Sequence, residues 1–173
     1  VEFYTRDRLA AFADLDEDGD LDGIGFAPIE SRRFRGPEDG QLQQYGAGTP
    51  GAGGAVPLLG ASGPVRSGST EAGLHLRRAL GGAPAQLAIS TDRADLAGIP
   101  FPGLTALVDP INLLFSLNLT VPGSGAGQGA LDIPVNVSPA VTGLTFTHQF
   151  FFFDLASPIF VTQSNAVEIQ YGI

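Results

Sequence analysis

The sequence predicts an all-β protein, an antiparallel β-sandwich preceded by a short strand-loop-strand segment. Three observations carry that expectation. Gly and Pro together supply 24 and 13 of 173 residues while apolar residues still reach 43%, a composition rich in turns yet able to build a core. From Val56 onward apolar residues recur at every second position, the period of strands that bury one face. No helical period is sustained anywhere. The longest helix-like stretch is STDRADLAG at 90 to 98, where Ser90 or Thr91 predicts the cap of a single turn.

In chain order, a strand-like run from Arg8 to Ala13 leads into a dense acidic loop, and a second apolar run, Ile24 to Phe26, follows it. Residues 1–45 are read as this N-terminal unit. The tract GAGTPGAGG at 46 to 54 has no side chain able to build a core, which predicts a Gly-rich linker over 46–55. The sandwich then occupies 56–173. Within it Leu74, Leu76 and Leu80 share a parity, as do Leu87 and Ile89. Leu113, Phe115, Leu117, Leu119 and Val121 alternate with Leu114, Ser116, Asn118 and Thr120, which predicts one core face and one mostly wet face. Leu131, Ile133, Val135 and Val137 repeat the pattern, and Val167, Ile169 and Tyr171 close it.

The acidic loop carries the sharpest chemistry. Asp14, Asp16, Asp18, Asp20 and Asp22 occupy alternate positions, and Gly19 stands sixth counting from Asp14. Calcium takes about 6–8 hard oxygens at roughly 2.3–2.6 Å, and a loop turning sharply at a Gly aims alternate side chains at one centre. The expected ligands are the side chains of Asp14, Asp16, Asp18 and Asp22 with the carbonyl of Asp20. Counting Glu17, six carboxylates fall within nine residues and repel one another unless a cation neutralises them. The expected cofactor is therefore Ca2+. The pattern departs from an EF-hand, because Gly25 stands where a bidentate Glu would close the site and the flanks read as strands.

Residues 6 to 35, on the DLDEDGDLD motif, resemble a single repeat of the FG-GAP or VCBS type, in which such a loop links two strands of a propeller blade. The resemblance implies calcium at the matching Asp positions and an extracellular setting. One repeat does not imply a propeller. The stretch from about 45 to 173, with YGAGTPGAGGAVPLLGASGPVRSGS, GAPAQLAIS, LVDP, HQFFFFDLASP and SNAVEIQYGI, resembles the C-terminal domain of secreted multidomain bacterial proteins and implies export and a sandwich. The chain opens on Val1 and contains no Met, which we read as processing of an exported precursor whose signal peptide is gone.

Other classes are disfavoured on physical grounds. A net charge of -9 works against a nucleic-acid surface. Zero Cys removes disulfides, thiolate metal sites and a Cys nucleophile, and Asp109, Pro110, Asn112, Ser116 and Asn118 break the one long apolar stretch that would span a membrane. GASG at 60 to 63 lacks the GxSxG spacing of a nucleophile elbow. His75 falls on a polar parity and His148 on an apolar one, so both read as structural, and Asp92, Asp95, Asp109, Asp132 and Asp154 read as loop caps. No enzyme is expected. Asn118-Leu119-Thr120 and Asn136-Val137-Ser138 match the glycosylation pattern weakly, the second weakened further by Pro139.

Two functions remain. The first is a calcium-stabilised structural subunit that assembles with copies of itself into an extracellular filament or surface assembly through its N-terminal segment. Its contact candidates are Phe3 and Tyr4 on one side and Phe151 and Phe153 on the other, since the last two fall on the face of their strand opposite Leu144, Phe146, Phe150 and Phe152. The second is a calcium-dependent adhesion or carbohydrate-binding module, less supported because the chain has no Trp and only three Tyr.

Overall fold

Period-two runs bounded by Gly and Pro become strands because each can bury one face against a second sheet while its turns take up the backbone reversals. The computed structural model describes residues 39–172 in full, together with the backbone of three earlier strands. These are β1 (Leu9–Ala13), β2 (Asp22–Gly25) and β3 (Arg32–Arg33). There follow β4 (Gln41–Tyr45), β5 (Leu58–Ser62), β6 (Gly73–Gly81), β7 (Pro84–Ser90), β8 (Arg93–Ala97), β9 (Thr105–Val108), β10 (Leu113–Thr120), β11 (Gly125–Pro134), β12 (Thr145–Phe153) and β13 (Val161–Gln170). All pairings are antiparallel, and among the described residues there is no α-helix.

A six-stranded sheet in the order β10-β7-β12-β13-β4-β3 faces a three-stranded sheet in the order β11-β6-β5. The two share one core in a sandwich-like arrangement. Leu59, Leu74 and Leu76 come from the smaller sheet, and Leu42, Leu87, Phe150, Phe152, Val167 and Ile169 from the larger. Phe150 and Phe152 stack at 5.7 Å because residues two apart on a strand share a face. Burying each contributes about 1.5–3 kcal/mol.

Two β-bulges alter the expected alternation. Between Gln149 and Phe151, two steps along β12 face three along β13. Ser164 Oγ fills the interrupted rung by accepting from Phe150 N at 3.0 Å, and Asn165 turns toward the other sheet. There its Oδ1 accepts from Leu59 N at 2.7 Å and its Nδ2 donates to Leu59 O at 2.9 Å, so one amide serves β5 as a neighbouring strand would. The second bulge lies at Arg77 and Arg78, with Arg78 at φ 60. It leaves both Arg side chains outward and swings Ala79 into the core, so Leu80 does not share the buried parity of Leu74 and Leu76.

Three further expectations meet a different outcome. The stretch at 90 to 98 forms no helical turn, because Arg93–Ala97 pairs with β9 as a strand. The Gly-rich tract expected as a linker is tied to the larger sheet: Thr49 N donates to Gln163 O, Gln163 N donates to Thr49 Oγ1, and Ala52 N donates to Asp154 Oδ2 at 2.7 Å. Backbone donors and the Thr49 hydroxyl hold it although it has no large apolar side chain to build a core. β4, grouped with the N-terminal unit on sequence, pairs with β13 from Gln41 opposite Gln170 to Tyr45 opposite Ala166 and belongs to the sheet.

The pair β8-β9 forms a third layer on the outer face of the larger sheet. Every backbone group that Thr105 and Leu107 turn toward that face finds a side chain. Gln163 Oε1 accepts from Thr105 N at 2.8 Å, Gln149 Nε2 donates to Thr105 O at 3.1 Å, Gln149 Oε1 accepts from Leu107 N at 2.9 Å, and Tyr45 Oη donates to Leu107 O at 2.6 Å. Burial pushes the Tyr45 phenol up to about 12, which keeps it a donor. Arg93 locks the start of β8 by pairing with Glu168 at 2.6 Å, bonding Gln43 and lying 4.4 Å over the Tyr45 ring.

Candidate functional site

The first feature is the acidic run from Asp14 to Asp22. β1 and β2, on either side of it in sequence, pair antiparallel with Ala13 opposite Asp22. Asp22 opens β2, while Asp14, Asp16, Asp18 and Asp20 lie outside the described residues, as do Phe3 and Tyr4. All five expected ligands present carboxylate or carbonyl oxygen, a hard donor set suited to calcium. Among the described residues no group of His, Asp and Glu is placed to hold a metal, and no helix is long and apolar enough to cross a membrane.

The second feature is the open edge of the six-stranded sheet. Among the described residues β10 bonds to β7 on one side only and ends the sheet. Phe115, Leu117 and Leu119 keep the expected parity opposite Ile89, Leu87 and Ala85 of the core face, whereas a register shift between Leu113 and Phe115 places Leu113 opposite Ser90. The expected burial does not follow. Phe115 and Leu117 are both exposed, Phe115 by 50%, because a three-stranded sheet does not reach across a six-stranded one, and Leu113 and Leu114 are exposed as well, Leu114 by 49%. An eight-residue strand with one unbonded edge and apolar side chains on both faces is a template for a further strand.

The Phe-rich strand β12 is partly as expected. Phe150 and Phe152 are buried, Phe151 is half-buried and Phe153 is 51% exposed, whereas Leu144 lies just before the strand and is exposed. The outward face of β12 is not wholly open. Thr147 and Gln149 on it are buried beneath β9, so its apolar exposure is confined to the end bearing Phe153.

The third feature was missed by sequence reasoning. Ser62 ends β5, His75 lies on β6 and Asp132 on β11, with Asp132 directly opposite His75 and Gly60 opposite it on the other side. Ser62 Oγ stands 2.5 Å from His75 Nε2, and His75 Nδ1 stands 2.7 Å from Asp132 Oδ1. The carboxylate can only accept, so Nδ1 donates to it, and in a neutral ring Nε2 is then the acceptor for the Ser62 hydroxyl. Arg77 Nη2 pairs with the same Asp132 oxygen at 2.6 Å. Hydrogen bonding from His75, then from Arg77, holds the Asp132 carboxyl below its usual range. Asp132 therefore sits in mid-strand and orients a ring, where a loop cap was expected. Asp109 and Asp154 do cap turns, accepting from Ile111 N and Ala156 N.

No family model, curated protein or solved structure matches this chain.

Proposed function

We propose that this chain is a calcium-stabilised subunit that assembles with copies of itself outside the cell. The observation that carries the reading is β10, an unpaired edge with exposed Leu113, Leu114, Phe115 and Leu117. Its occupant is a second copy. The six-stranded sheet ends in unlike edges, β10 at one and the two-residue β3 at the other, and contacts between unlike surfaces repeat without closing. A strand from the N-terminal segment of the next copy extends the sheet beside β10 and covers the apolar side chains that the smaller sheet does not reach. Phe3 and Tyr4 supply apolar cover, and Phe153 lies at the end of β12 left open by β9. The ion held by Asp14, Asp16, Asp18, Asp20 and Asp22 neutralises the loop between β1 and β2 and makes that segment rigid enough to dock.

A carbohydrate-binding reading draws less support, since Tyr45 and Tyr171 are buried and neither offers a ring to a sugar. The decisive experiment compares the parent with Leu114→Lys plus Phe115→Lys by sedimentation velocity and negative-stain imaging at high calcium. Both replaced side chains are half-exposed, so the variant keeps its core. The parent is expected to form elongated assemblies and the variant to remain a folded monomer. A parent that stays monomeric, or a variant that assembles as well as the parent, overturns the reading.

A further inference from the structure

We propose that Ser62 is an activated nucleophile, with His75 as its general base and Asp132 as the positioning residue, and that the outer face of the three-stranded sheet cleaves small esters that have good leaving groups. Three residues from three strands form one hydrogen-bonded relay, Ser62 Oγ to His75 Nε2 at 2.5 Å and His75 Nδ1 to Asp132 Oδ1 at 2.7 Å. Nucleophile, base and orienting carboxylate in this order are what acyl transfer by serine requires, and such a constellation is recognised by geometry rather than by position in the chain. Sequence spacing hides it because β5, β6 and β11 bring the residues together only once the sheet has formed.

The surroundings leave the oxygen accessible. The residue opposite Ser62 on β6 is Gly73, where a Cβ would stand 3.4 Å from both His75 Cε1 and Nε2, and the residue opposite His75 on β5 is Gly60. Gly73 thus places no side chain beside the pair, while at Gly60 a Cβ would meet Gln44 Nε2 at 3.1 Å. Ser62 and His75 are both half-buried, partly shielded yet within reach of a small molecule. Arg77 pins Asp132 from the far side, with its guanidinium also donating to Leu76 O at 2.8 Å, which fixes the carboxylate against the ring. The site is an open sheet face, which sets the substrate class: a small acyl group whose alcohol leaves readily.

The step balances without a cofactor. Ser62 Oγ attacks the ester carbonyl carbon while its proton passes to His75 Nε2. The tetrahedral adduct expels the alcohol, which takes that proton, and leaves the acyl group on Ser62. Water attacks the acyl-serine with His75 again accepting a proton, and the carboxylic acid departs as the hydroxyl is restored.

The test uses p-nitrophenyl acetate with the full chain, followed by peptide mapping. The chain contains no Lys, so lysine acetylation cannot obscure the result. Acetylation is expected at Ser62, with a nitrophenolate burst matching the chain concentration. Ser62→Ala should abolish the burst. His75→Gln should slow it by about 10²–10⁴-fold, the range that general-base catalysis supplies. Asp132→Asn should slow it while altering its pH profile, a readout that a merely structural role would not move. Unchanged thermal melting of each variant establishes that the fold is intact, and Ser62→Thr serves if Ser62→Ala melts early. Acetyl groups found only elsewhere, or a Ser62 rate indifferent to His75→Gln, overturns the proposal and leaves the relay as a surface hydrogen-bond network. Neither outcome bears on assembly through β10.

Discussion

His148 lies between Ile89 and Val167 on the neighbouring strands and is buried. Burial lowers its imidazole from 6.5 to about 4, with backbone groups of Val167 and Phe146 opposing the shift in part. The folded state therefore keeps the ring neutral at pH values where the unfolded chain takes up a proton. Stability tied to His148 is whole above about pH 6.5 and is drawn down as pH falls toward about 4, a loss of about 3 kcal/mol at roughly 1.4 kcal/mol per pH unit. Urea unfolding of the parent should show this decline beyond that of His148→Leu, and equal slopes for the two would remove the claim. Arg78 gives a second test at this scale. It holds φ 60, a region that costs a residue with a Cβ roughly 1–2 kcal/mol. Arg78→Gly is expected to raise the unfolding free energy by about 1 kcal/mol, and Arg78→Val to lower it. The parity of His148 was legible because its neighbours alternate cleanly. The parity of Ala79 was not, because nothing in LRRAL marks which residue the bulge will absorb.

Among elements, β9 shows most plainly where pattern reading stops. Its strand partner is β8 alone, yet Gln149, Gln163 and Tyr45 occupy its other side as a row of side-chain partners. Polar residues on an outward parity read as a wet face, and only the folded chain reveals that a hairpin lies over them. Gln149→Ala leaves Leu107 N–H and Thr105 C=O without partners, an expected cost of about 2–6 kcal/mol at roughly 1–3 kcal/mol per buried group. Hydrogen exchange should then quicken at Leu107 and Thr105 before it quickens in β12 or β13, and uniform quickening would mean that the hairpin has no independent attachment. β10 reverses the lesson. Its alternation was read correctly from Phe115 to Leu119 and is broken at Leu113 by a register shift, but burial depends on how far the opposite sheet extends, and strand number is not written in the strand itself. Ser62, His75 and Asp132 failed for a related reason: proximity was created by pairing between strands distant in sequence, whereas GASG and an Asp near a Pro are ordinary turn chemistry when read locally.

For the molecule as a whole, the acidic loop and the two sheets make separable demands. The shared core contains no calcium-dependent element among the described residues, so chelation is expected to loosen residues 8 to 30 while near-ultraviolet dichroism of the Phe-rich core stays unchanged. Calorimetry should register one calcium per chain in the parent and none after Asp16→Ala plus Asp18→Ala. Equal uptake in both would remove the loop from the account. With neither Cys nor Lys, no disulfide or lysine isopeptide bond can hold copies together, and fully denatured assemblies should run as a single monomer band.

The position of β13 has a consequence for how the protein folds. It lies between β12 and β4, and its last rung joins Gln170 to Gln41, so the larger sheet closes with nearly the whole chain in hand. Before β13 pairs, β4 lacks its long partner and β12, already beside β7, still presents a bare edge. Long-range antiparallel pairing is slow to form and leaves unmatched strands open to the wrong neighbours. Docking of β13 is therefore the step on which the larger sheet waits, and until then β4 and β12 are the strands open to wrong pairing.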